Sequence, residues 1–435
     1  DLPPLIVGTI RMGFGHHRIA YATSSWGVQA GIPTLFHDLL SVKSPEADLI
    51  KRTDELYSKG SRLASEIGGF AERFFGGLTA QGGDANALRT AYQLAEVIKP
   101  LFLGLPKDTP VIATHSLVGL VARAAGFRHV INMVIDNHPQ WFLIVPGAIN
   151  LVQGPKSYFA FVRMGVPESE LRIAGHWIGS DIVDNIKSDC AQRKARVASG
   201  APLRVLLPVG GAGAQRIFVA KFLKSLQAEI ARGEVQVLVN AGDHKHMRDT
   251  FIQTLSFMGM ADDYEEIDTI EGVHAFTNAR RNGTEPPKPV TLFAFKDYFP
   301  AVAATDILIR VSDVLACKPS EMAFYPVPKL MLRRVGDHEA DSAIRANELG
   351  DGTVEIREPE EAHAWVTLFR TKPSLLTQMN DMIMKNADFG IYDGCKKAVD
   401  LARQLSIDSR MDPPPAEASA DNCTSASGYR VCPKA

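Results

Sequence analysis

No stretch of the chain holds the roughly 18 to 20 consecutive apolar residues that a membrane-crossing helix requires, so none is expected. Charge of one sign is equally scarce. Against 49 Asp and Glu stand 47 Lys and Arg, a formal net charge of −2, which gives no general electrostatic reason to bind nucleic acid and counts against it as a partner. Cysteine is thin and scattered. Cys190, Cys317, Cys395, Cys423 and Cys432 form no CxxC pair and join no histidine at metal-ligand spacing, so neither structural zinc nor a disulfide framework is expected. That usage reads as a reducing, cytoplasmic compartment with no metal cofactor. Nothing resembles a signal peptide, and the start at Asp1 is compatible with a targeting segment upstream.

What is present is a globular composition, 46% hydrophobic, in a chain long enough for two cores of roughly 200 residues each. Residues 5–9 are a short apolar run suited to a buried parallel strand, and they lead through Gly13 and Gly15 into a helical pattern. Ile19, Ala22 and Trp26 share one helical face, Gly31 can end the helix, and residues 33–36 read as the next strand. This is a βαβ opening. Further strands are expected at residues 111–114, 130–135 and 171–174, with helices between them.

Charged and small residues interrupt the pattern at 190–202, and the order then restarts. A strand at 203–209 runs into Gly210-Gly211-Ala212-Gly213 and a helix whose Phe218, Phe222, Leu226 and Ile230 recur at every fourth position. Strands follow at 235–240, 290–295, 314–317 and 329–332, then a helix from Glu339 to near Gly350. Residues 278–289 read as an exposed loop. The expected fold is α/β, two Rossmann-like domains facing a cleft. The first spans residues 1–195 and the second 196–370, with helices of 371–406 packing back on the first and a polar, disordered tail over 407–435.

Each half thus carries a glycine turn between a strand and a helix, where backbone N–H groups and the helix N-terminus favour an anion. Gly13 and Gly15 serve the first turn; Gly210, Gly211 and Gly213 serve the second. His16 and His17 stand at the start of the first helix, over the C-terminal ends of the strands, where a histidine can act as a general base or simply cap the helix. Asp136 and His138 follow another strand, with Trp141 beside them. They can orient or accept a proton and line an acceptor pocket, or they can form a plain turn before Pro139. In the second half Lys318, Ser320 and Glu321 follow a strand: a cation for a pyrophosphate, a capping hydroxyl and a carboxylate for ribose hydroxyls, or an ordinary helix start. His338 and Glu339 can reach a donor sugar, or Asp337 can cap the helix there. Leu63, Ile67, Phe70, Phe74 and Phe75 make an apolar helical stripe suited to a core or to a membrane surface.

In this order the motifs resemble those of GT-B glycosyltransferases, closest to the branch of monogalactosyldiacylglycerol synthase and processive diacylglycerol glucosyltransferases and, more distantly, the MurG transferase. The resemblance is carried by Val134-Ile135-Asp136 through His138-Pro139-Gln140-Trp141, by Gly165-Val166-Pro167 and Leu171-Arg172-Ile173-Ala174-Gly175, by Gly13-Phe14-Gly15-His16, and by Asp313 through Pro319. Departures fall on the donor side. Glu321 follows Lys318 almost at once, residues 322–328 hold no glycine, and His338-Glu339 stands where relatives carry Gln-Glu. The resemblance implies transfer of a sugar from a nucleoside-diphosphate sugar, UDP-linked, to a hydroxyl acceptor. A lipid acceptor and a peripheral membrane contact come with that kinship. His16, Asp136 and His138 would be catalytic, with His17 and Trp141 on the acceptor and Gly13, Gly15, Gly210, Gly211, Gly213, Lys318, Ser320, Glu321, His338 and Glu339 on the donor. The rival readings are an enzyme resembling UDP-GlcNAc 2-epimerase, and a binding protein that keeps the fold without catalysis.

Overall fold

Leu5, Ile6 and Val7 are consecutive and almost fully buried, yet they serve different cores. Ile6 packs with Ile98, Phe102 and Val118 on one face, whereas Leu5 and Val7 meet Ile19, Trp26 and Ala398 on the other. Such two-sided burial requires a parallel strand covered by helices above and below. The computed structural model describes residues 3–11, 14–41, 85–102, 104–209, 215–334 and 339–411.

The first domain runs β1 (Leu5–Thr9), α1 (Phe14–Gln29), β2 (Thr34–Asp38), α2 (Ala85–Ile98), β3 (Val111–Ala113), α3 (Ser116–Ala124), β4 (Val130–Met133), β5 (Ile149–Val152), α4 (Pro155–Met164) and β6 (Leu171–Ile173). Its parallel sheet has the order β2-β1-β3-β4-β5-β6. Helices α5 (Ser180–Val183) and α6 (Ile186–Ala198) lead to the second sheet. There follow β7 (Leu203–Pro208), α7 (Arg216–Ser225), α8 (Gln227–Ala231), β8 (Val235–Gly242), α9 (Lys245–Phe257), β9 (Tyr264–Ile267), α10 (Ile270–Arg281), β10 (Val290–Ala294), α11 (Tyr298–Leu308), β11 (Val314–Cys317), β12 (Lys329–Met331) and α12 (Ala340–Glu348). This sheet is also parallel, ordered β12-β11-β7-β8-β10-β9. The chain ends its described course with α13 (Pro359–Thr371), α14 (Ser374–Asp388) and α15 (Gly394–Met411).

Both sheets have a topological switch point, between β1 and β3 in the first and between β7 and β11 in the second, and ligands of such sheets bind outside the strand C-termini at those points. The crossings between domains are themselves paired. His176 N donates to Ile391 O at 2.6 Å, Gly394 N donates to His176 O at 2.9 Å, and Trp177 bridges Asp393 in antiparallel fashion. A Cβ at Gly175 or Gly394 would come within 2.5 Å of the opposite backbone, so this ribbon needs glycine on both sides.

Several local expectations change. Helix α6 occupies the stretch taken as a boundary, and its Ile186 and Cys190 belong to a core with Leu206, Leu238 and Leu315 of the second domain. Phe218, Phe222, Leu226 and Ile230 are all buried, but the helix breaks at Leu226 into α7 and α8. The expected loop from Asn278 begins only after Arg281, and the helix expected at Ser320 is one 3₁₀ turn, Glu321–Phe324. Helix α15 packs Ala398, Val399 and Ala402 on the first domain and continues past Ile407, where a tail was expected, to Met411. The stripe at 63–75 lies outside the described residues.

Candidate active site between the two sheets

Helix α1 starts just beyond β1, which sets its first turn over the switch point of the first sheet. There His16 Nδ1 lies 2.7 Å from the carbonyl oxygen of Thr114. A carbonyl only accepts, so Nδ1 carries the proton, and the neutral ring presents its lone pair at Nε2. Thr114 is fixed in turn: its N–H donates to Gly8 O at 3.0 Å and its hydroxyl to Thr9 Oγ1 at 2.9 Å. Burial holds the His16 pKa below the ordinary histidine value, opposed in part by the Thr114 bond and by the nearby carboxylates of Asp136 and Glu321. The ring is therefore neutral at pH 7.

The next residue, just beyond β3, is His115, which the sequence reading did not single out. It is the N-cap of α3, where its Nδ1 accepts the Leu117 N–H at 3.0 Å. Its neutral ring therefore carries its proton on Nε2, the reverse of His16. Burial, reinforced by His16, keeps its pKa well below the ordinary value. The two rings lie 4.5 Å apart between centroids, inclined at 58°. The signal for His115 was its place between strand and helix at the switch point.

Glu321 reaches the same spot from the second domain. Its Oε2 lies 3.2 Å from where a Cβ on Gly15 would be, so glycine at 15 lets this carboxylate settle on the first turn of α1, where a helix N-terminus favours negative charge. Its Oε1 is 3.8 Å from Arg18 Nε. Arg18 is buried and joins the domains: its Nη1 donates to Asp306 Oδ1 at 2.7 Å, Val302 O at 3.0 Å and Tyr325 Oη at 3.4 Å, and the Tyr325 hydroxyl donates to Asp306. Burial works against the Arg18 charge, and Tyr325, Asp306 and Glu321 together outweigh it.

Gly15, His16, Asp136 and Glu321 are thus brought together. Others go elsewhere. His17 is buried with its Nε2 3.3 Å from Asp38 Oδ2 and its ring among Tyr21, Phe36 and Tyr298, which gives it a packing position in place of the expected acceptor contact. His138 Nδ1 lies 3.3 Å from Asp341 Oδ2 in α12, and Lys156 Nζ lies 2.6 Å from Asp341 Oδ1, a second bridge across the cleft. Trp141 packs beside the cluster of Val134, Phe161 and Val166, with its ring edge toward Gly165. Lys318 and Glu339, expected to meet the donor separately, form an ion pair with each other. Ser320 makes no cap bond, and its buried Oγ has no partner among the described residues. Gly13, Gly210, Gly211, Gly213 and His338 lie outside the described residues. No described helix is long and apolar enough to cross a membrane, and no group of three metal-ligating side chains occurs among the described residues.

Two facing parallel sheets with helices on both sides define a protein of the GT-B fold. Residues 166–403 match the family described as a domain of unknown function, DUF6938, and the chain belongs to that family; residues 3–163 match a second domain of unknown function, DUF6937. No curated protein matches in sequence. Among solved structures, the chain is similar to the UDP-GlcNAc 2-epimerase of Neisseria meningitidis bound to UDP-GlcNAc, at 11% identity and a TM-score of 0.51 over 92% of this chain and 99% of that one. It is also similar to MnaA of S. aureus with UDP, at 10% identity and a TM-score of 0.52 over 94% and 97% of the two chains. A trehalose 6-phosphate synthase of Burkholderia multivorans matches at 10% identity and a TM-score of 0.48, over 94% of this chain and all of that one.

Proposed function

We propose that the chain transfers a sugar from a UDP-sugar to a hydroxyl acceptor, with the nucleotide on the second domain and the acceptor over the first. The observation that carries this reading is the His16 ring: neutral, oriented by Thr114, and presenting Nε2 at a switch point faced by the other domain. His16 takes the acceptor proton, and Asp136 stabilises the imidazolium that results. The glycine turns and helix N-termini then stabilise charge on the departing diphosphate. No cofactor beyond the nucleotide sugar enters the scheme. Crystal structures of relatives with UDP-GlcNAc and UDP support a uridine nucleotide. Kinship with the diacylglycerol glycosyltransferases, and with it a lipid acceptor and a peripheral membrane contact, rests on the sequence motifs; liposome flotation without binding would count heavily against it.

A second reading, epimerisation of a UDP-sugar without an acceptor, is favoured by the Glu321 carboxylate beside His16 and by the similarity to a UDP-GlcNAc 2-epimerase. Incubation with UDP-glucose, UDP-galactose and UDP-GlcNAc separates the two, since transfer releases UDP whereas epimerisation returns an isomeric UDP-sugar. His16→Ala should lower kcat/KM for UDP release by about 10²- to 10⁴-fold while UDP still binds. Calorimetry showing no binding of UDP or any of these sugars would remove both readings.

A further inference from the structure

His115 combines two features that a mere helix cap does not need. Its Nδ1 is occupied by the Leu117 N–H, which fixes the ring's one proton on Nε2, and its ring lies against that of His16, whose own Nδ1–H is committed to Thr114. Both residues are half-buried, and neither Nε2 is sealed from solvent. The pair therefore sets an acceptor on His16 and a donor on His115 on two rings in contact, and backbone bonds prevent the two from exchanging roles.

We propose that His115 is a second catalytic imidazole of this site, a one-way hydrogen-bond donor whose Nε2–H holds the oxygen from which His16 takes its proton. The inference rests on the reading of the site as one of glycosyl transfer, and it names the substrate group. A hydroxyl has a proton to give and, beyond the lone pair it attacks with, a second one to accept the His115 N–H; an amine spends its only lone pair in the attack, and a carboxylate or phosphate dianion has no proton for His16. In the step itself the hydroxyl oxygen bonds to the anomeric carbon and its proton passes to His16 Nε2. The bond from that carbon to the diphosphate breaks, and its electron pair leaves on UDP. His115 keeps its proton throughout. A neutral imidazole at a helix N-terminus is suited to this, because its low basicity keeps it from competing for the proton.

Serine is as good an N-cap as the residue it would replace here, but it has no distal donor, so His115→Ser keeps the cap and deletes the proposed function. The assay is UDP release by the full chain from UDP-glucose and UDP-GlcNAc, with water as the hydroxyl, alongside UDP calorimetry and thermal melting. His115→Ser should lose about 10²-fold in kcat/KM with UDP affinity and melting midpoint unchanged. Release within about threefold of the parent chain overturns the role, as does a loss matched by lost UDP binding or a lowered midpoint. If the parent chain binds UDP but releases none from either sugar, the transfer reading fails and the role falls with it. Independently, ¹⁵N NMR of the ring nitrogens at about pH 6 to 8 should show opposite tautomers for the two histidines, and a shared tautomer overturns the proposal.

Discussion

Arg18 offers the sharpest test of how the two domains are held. It leaves α1 and ends in the other domain, 5% exposed at its side chain, with Asp306 as its closest ionic partner. Arg18→Ala removes the cation and strands that carboxylate. Breaking a fully buried pair costs about 3 to 5 kcal/mol because the remaining charge is left unpaired. Asp306 keeps 27% of its side-chain surface and the Tyr325 hydroxyl, so the low end, about 3 kcal/mol, applies here. For domains of this size that corresponds to a melting midpoint lower by about 6 to 12 °C. Calorimetry on Arg18→Ala, Asp306→Asn and the double variant measures it. The double variant should recover part of the loss, since removing both members leaves no orphaned charge. A single variant melting within about 1 °C of the parent chain would refute the reasoning.

Two other perturbations follow from the same seam. Burial holds His16, His115 and His176 below the ordinary histidine pKa of 6.5. Between that value and their folded values the unfolded chain binds more protons, so stability rises with pH, and acidification through about pH 6.5 should lower the unfolding free energy by up to about 1.4 kcal/mol per pH unit for each ring, and the midpoint with it. A midpoint that rises between about pH 7.5 and 6 would contradict this burial. Gly15→Ala places a methyl 3.2 Å from Glu321 Oε2. Alanine's helix preference of about 1 kcal/mol offsets the crowding, so melting should change little while UDP-sugar turnover falls about tenfold. If Gly15→Ala turns over normally, the position of Glu321 is irrelevant to the chemistry.

The fold was legible where one periodicity dominated. Leu5–Val7 and Val314–Cys317 are unbroken apolar runs, and both lie in strands. Strand β5 was not, because Asn150 sits in its middle; that amide is satisfied by Asn132 and by the Val145 N–H, partners that no local pattern announces. Strand β9 carries Glu265 and Glu266 at a sheet edge, so it lacks the apolar run altogether. The site divides the same way. Residues at strand ends, such as His16 and Asp136, could be placed by topology. Pairs such as Lys318 with Glu339 or Lys156 with Asp341 depend on how loops and domains close on one another, and residue spacing holds no record of that. His115 was passed over for another reason: a lone histidine between strand and helix gains meaning only beside the ring of His16.

The ribbon in which residues 175–177 pair with 391–394 has a mechanical meaning. Two connections bonded to each other act as one axle instead of two tethers. The domains can then turn about a single line but resist sliding or twisting apart, and access to the cleft becomes a matter of angle. The ion pairs of Arg18 and of Asp341 span the gap. A single protease cut in either crossing would leave the molecule hinged, because the other strand still carries the load.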